Sequence, residues 1–120
     1  MNGGNDDTAR EVFAECVQEA LESLPHDLRA AISNVEIVTE DEPPPGQRLL
    51  GLYRGIPLTR RSSAYAGVLP DKISIYRGPI ERLTRSDPER LREEIKHVVL
   101  HEIAHHFGIS DERLIELDRY

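Results

Sequence analysis

Residues 86–108, SDPERLREEIKHVVLHEIAHHFG, constrain the fold more than any other stretch, because they spell one long helix with a marked start and stop. Ser86 or Asp87 offers the N-cap, Pro88 suits the first turn, and Glu89 places an acid there. The pattern runs to about Phe107, where Gly108 fits the left-handed residue that closes a helix. Between Val98 and Phe107 apolar residues cover most of the circumference. Such a helix is expected to lie buried, with a sheet on one side and a helix or loop on the other.

The same helix carries an unusual polar set. His101 and His105 are four residues apart, so they fall about 40° apart on the wheel and one turn displaced. Both imidazoles can point at one spot, on a stripe shared with Glu94 and Val98. Glu102 is one residue on, beside that spot rather than at it. That is the place for a base acting on a metal-activated water. After Gly108 the chain can reverse, and Asp111 can return as a third ligand. Asp111 can equally cap a last helix, and Glu94, Glu116 and Asp118 are alternative carboxylates. The His-Glu-x-x-His pattern alone is a weak signal; glycine and aspartate at fixed offsets on a helix make it specific. Imidazole plus carboxylate with an open position suits zinc, one ion per chain. His106 falls among Ile95, Val99 and Ile103 and is expected to be packed or hydrogen-bonded. His97 is expected off the metal stripe, and His26 carries no signal.

Elsewhere the pattern is short and mixed. Residues 1–6 read as a flexible lead. Phe13, Cys16, Val17, Ala20, Leu21 and Leu24 recur at helical spacing, which predicts a helix over about 7–24 that Pro25 stops. Leu28, Ala31 and Ile32 suggest a short turn. Asn34–Thr39, Leu49–Tyr53 and Lys72–Tyr76 read as strands. Glu40–Glu42 and the Pro43–Pro45 triplet make an exposed loop, 54–70 is mostly loop, and Gly78-Pro79 ends the third strand. A last short helix over about 111–118 comes after Ser110.

With 120 residues the chain suits a single domain, 1–120. Its net charge of −7 argues against binding a nucleic-acid backbone. The basic loop with Arg54, Arg60, Arg61 and Tyr65 is a candidate contact for an acidic protein partner. Cys16 is the one cysteine, so no internal disulfide forms; it reads as a packed residue of the first helix. There is no signal-peptide pattern and no apolar run of membrane-spanning length, and the expected location is the cytoplasm.

At HEIAHHFGISD the chain resembles the zincin metallopeptidases, and more narrowly the small single-domain bacterial minimal zincins. The likeness includes FAECVQEALESLP, NVEIVTEDEP, LLGLYRGIPLTRR, LPDKISIYRGPIER and DERLIELDRY, from about 11 to 120. The resemblance implies an α+β fold: a three- to four-stranded mixed sheet on a backing helix and an active-site helix, with a short C-terminal helix. It implies zinc held by His101 and His105, Glu102 as general base, Asp111 as third ligand, and hydrolysis of a peptide or protein substrate. The chain lacks the Met-turn of metzincins, since its one methionine is Met1. Only 15 residues come after His105, little room for the later glutamate of gluzincins.

Two functions are compatible with these residues. The first is a zinc-dependent metallopeptidase in which Glu102 activates water. Residues Ile73, Ser74, Ile75 and Tyr76 would then be the sheet edge on which an extended peptide adds. Tyr65, Tyr76 or Arg77 would face the oxyanion. The second is a zinc-binding, zincin-like interaction module with little or no proteolysis, using the 54–67 loop.

Overall fold

The computed structural model describes residues 3–32, 34–55, 71–110, 112 and 113. Helix α1 (Gly3–Glu22) and the short α2 (His26–Ala31) precede strand β1 (Val35–Glu40). Strands β2 (Gly51–Arg54) and β3 (Asp71–Tyr76) come next, then α3 (Arg77–Thr84) and the long α4 (Pro88–His106). The expected α+β fold is present, with three strands in the sheet among the described residues. Helix α1 begins at Gly3, ahead of the expected start. The basic-loop residues Arg60, Arg61 and Tyr65, and nearly all of the last expected helix, lie outside the described residues.

The strand order is β1-β3-β2, with β3 parallel to β1 and antiparallel to β2. This corrects the expectation for Ile73–Tyr76. Those residues form the central strand, bonded on both sides, and all four side chains are buried. A peptide cannot add to an edge already used. The sequence signal misled because a buried central strand and an edge strand can share the same alternation of β-branched residues.

Apolar side chains from both sides of the chain meet over this strand. Phe13, Val17 and Ala20 of α1 share one core with Ile73 and Ile75 of β3, Ile80 of α3, and Leu91, Ile95, Val99 and Ile103 of α4. Cys16 joins them, and burial pushes its thiol pKa up, as expected of a packed residue rather than a nucleophile. The buried residues of α4 fall at 91, 95, 98, 99, 102, 103 and 106, a single helical stripe. It lies against α1, α3, β2 and β3, as the sequence of this helix required.

Helix α3 was not expected. Gly78 and Pro79 sit in its first turn, where backbone N–H groups need no intrahelical partner, so neither breaks it. Gly78 also lets the turn rest on the acidic loop: a Cβ there would collide with Glu42, and its N–H donates to the Asp41 carbonyl at 2.8 Å. The run Glu40–Glu42 is therefore a docking point for arginines. Arg10 of α1 and Arg77 of α3 both donate to Asp41, and Arg82 donates to both oxygens of Glu42 at 2.9 Å. These hydrogen bonds hold both carboxyls below their ordinary pKa values. A group with a depressed folded-state pKa stabilises above its unfolded value, and that contribution goes as pH falls through the folded one. The double variant Asp41→Asn/Glu42→Gln should therefore melt slightly lower than wild type at neutral pH. The gap should close as pH falls below the ordinary values of 3.8 and 4.5. A gap that stays constant down to acid pH contradicts this role.

Candidate metal centre

The site is built at the C-terminal end of α4. Asp87 caps the start of this helix by accepting the Arg90 N–H at 3.1 Å, with Pro88 next. At the other end Gly108 adopts φ +84°, a conformation that costs glycine little. Its N–H donates to the His105 carbonyl at 2.9 Å, and the Ile109 N–H donates to the Ala104 carbonyl at 3.0 Å. This paired closure is the one expected of a glycine stop. The Ser110 hydroxyl oxygen then accepts the Arg113 N–H at 3.2 Å, as an N-cap residue does.

His101 and His105 project side by side, with ring centroids 4.8 Å apart. Candidate donor atoms of His101, Glu102 and His105 all lie within 4.8 Å of one another. Both imidazoles are half-buried and Glu102 is buried. His105 Nδ1 lies 3.1 Å from the Ile109 carbonyl oxygen. A carbonyl only accepts, so Nδ1 carries the proton and Nε2 keeps its lone pair for a cation. This donor set, with one ring already oriented by a backbone acceptor, fits zinc.

A cavity of about 470 Å³ opens over these groups. Its lining includes Leu49, Gly51, Leu52 and Tyr53 on one side and His101, Glu102, His105 and Ile109 on the other. Gly51 sets how closely strand and helix approach. A Cβ there would come within 2.8 Å of Val98 Cγ1 and 3.1 Å of Glu102 Cγ, so the missing side chain lets β2 lie against the base.

The structure brings together three of the expected site residues, His101, Glu102 and His105. Asp111 lies outside the described residues. Ile73, Ser74, Ile75 and Tyr76 do not line this cavity, and neither does Arg77, which is bonded to Asp41 and Glu81. His106 is buried and hydrogen-bonded, as expected. His97 is exposed and is not among the grouped donor atoms, as expected of a residue off the site. It stands four residues before His101, the same interval as His101 to His105, and its ring meets that of His101 at 6.4 Å. Residues missed by sequence reasoning are Gly51, Tyr53 and Asp71. The strand pattern around LLGLYRG revealed a strand but not its neighbours, and an aspartate at a strand start looks like a turn residue.

Two histidines four apart on a half-buried helix face, a buried glutamate between them and an open cavity above define a metal-dependent hydrolase centre. A family model described as zincin-like metallopeptidase matches residues 32–120, and the chain belongs to that family. Comparison with curated proteins gives no significant match. No helix among the described residues is long and apolar enough to cross a membrane.

Proposed function

We propose that the chain hydrolyses peptide bonds in extended peptide segments, with one zinc per chain held by His101, His105 and Asp111. The observation that carries this reading is the grouping of the His101, Glu102 and His105 donor atoms within 4.8 Å beneath an open cavity. Zinc bound here would supply a Lewis acid for a carbonyl and would lower the pKa of water towards about 7. Glu102, beside the two imidazoles, takes the proton of the attacking water and delivers it to the leaving amine. His105 would hold the cation through Nε2, because its Nδ1 is committed to the Ile109 carbonyl. Asp111 is assigned as the third ligand from its sequence spacing, three residues after the Gly108 stop.

Substrate is assigned to β2 rather than β3. Among the described residues β2 pairs only with β3, and Gly51, Leu52 and Tyr53 line the cavity. A peptide laid along the other edge of β2 would pass its carbonyls over His101 and His105.

The test is a peptide library incubated with zinc-loaded protein, with products read by mass spectrometry. Cleavage at internal bonds is expected, abolished by a chelator and restored by added zinc. A zinc-loaded protein that cleaves no peptide contradicts the peptidase reading and favours a zinc-binding interaction module.

A further inference from the structure

Beside the turn that carries His105, side chains from two elements converge on one carboxylate oxygen of a third. Asp71, the first residue of β3, is 2% exposed. Its Oδ2 accepts the Tyr53 hydroxyl at 2.5 Å and lies 2.7 Å from His106 Nδ1. A carboxylate only accepts, so the Nδ1 of His106 carries the proton. His106 is 3% exposed, and its ring meets that of Tyr53 edge to face at 5.8 Å. Gly55 closes the cluster, since a Cβ there would collide with Asp71 and come within 2.9 Å of the Tyr53 hydroxyl.

A buried carboxylate is expensive, and an apolar trio of the same volume would hold these elements together at least as firmly. What the polar cluster adds is direction. Hydrogen bonds fix distance and angle where apolar packing tolerates sliding. The elements it joins are the two that build the site: Tyr53 is on β2, which lines the cavity, and His106 succeeds His105 in the last turn of α4.

We propose that Asp71 is a positioning residue. Through one carboxylate oxygen it sets the spacing between β2, held by Tyr53, and the ligand-bearing turn of α4, held by His106. The proposal rests on the reading of His101 and His105 as zinc ligands and of β2 as the substrate strand. Its two arms govern different quantities. The His106 arm holds the turn from which His105 projects, so loosening it lowers zinc affinity. The Tyr53 arm holds the strand against which substrate lies, so loosening it raises KM and leaves zinc affinity alone.

The experiment compares wild type with Tyr53→Phe, His106→Gln and Asp71→Asn, each well below its melting temperature. Zinc affinity is read by competition with a chromophoric chelator, and KM and kcat on a peptide the wild type cleaves. His106→Gln and Asp71→Asn should weaken zinc binding by about tenfold, the lower end of the loss seen when groups bonded directly to metal ligands are removed, because both act one residue away from His105. Tyr53→Phe should keep wild-type zinc affinity and raise KM severalfold with little change in kcat. Wild-type zinc affinity in both His106→Gln and Asp71→Asn, with only their melting temperatures lowered, overturns the proposal and leaves a purely structural cluster. If Asp71→Asn does not fold, His106→Gln and Tyr53→Phe decide between the same outcomes. A wild type that binds zinc yet cleaves nothing ends the peptidase reading, and the zinc affinities then decide this proposal alone. A wild type that binds no zinc overturns both.

Discussion

Glu102→Gln should keep one zinc per chain and lose roughly 10²–10⁴-fold in kcat, the usual contribution of a positioned general base. Glutamine has the shape of glutamate. That matters because the Glu102 side chain is buried against Gly51, where added or lost volume would shift β2. The change therefore removes one property, the ability to take a proton, and leaves His101 and His105 as they are. KM should move little, because the lost interaction belongs to the transition state rather than to substrate binding. Kinetics on a cleaved peptide, paired with metal content of the same preparation, checks both halves. Full activity removes Glu102 from the mechanism. Loss of zinc along with activity would make Glu102 a ligand instead of a base.

Much of the fold was legible because local signals agreed with the tertiary solution. The cap at Asp87, Pro88 behind it and the stop at Gly108 delimit α4 without reference to the rest of the chain. The paired histidines were legible for the same reason, since four residues of helix set their geometry. Partnership across the sheet was not legible. Nothing in Lys72–Tyr76 says that β1 and β2 bond it from both sides, so the central strand was taken for an edge. Asp71 was missed for a related reason: its burial depends on Tyr53 and His106, 18 and 35 residues away. Helix α3 was hidden behind Gly78-Pro79, a pair that signals a turn unless it falls in a helix's first turn.

His101→Ala should abolish zinc binding at micromolar metal. Structural zinc sites with four ligands bind with about 10–16 kcal/mol, on the order of 3 kcal/mol per ligand. Losing one imidazole then weakens binding by about two orders of magnitude or more, since 1.4 kcal/mol is tenfold. A centre with three protein ligands has little reserve against that loss. The fold should survive, because His101 is only half-buried and outside the apolar core.

The most direct measurement is elemental mass spectrometry on untagged protein, wild type beside His101→Ala, after zinc is supplied in small excess and unbound metal removed. One zinc per wild-type chain and essentially none in the variant is the expected result. Equal zinc in both, or none in either, would contradict a metal centre at His101 and His105.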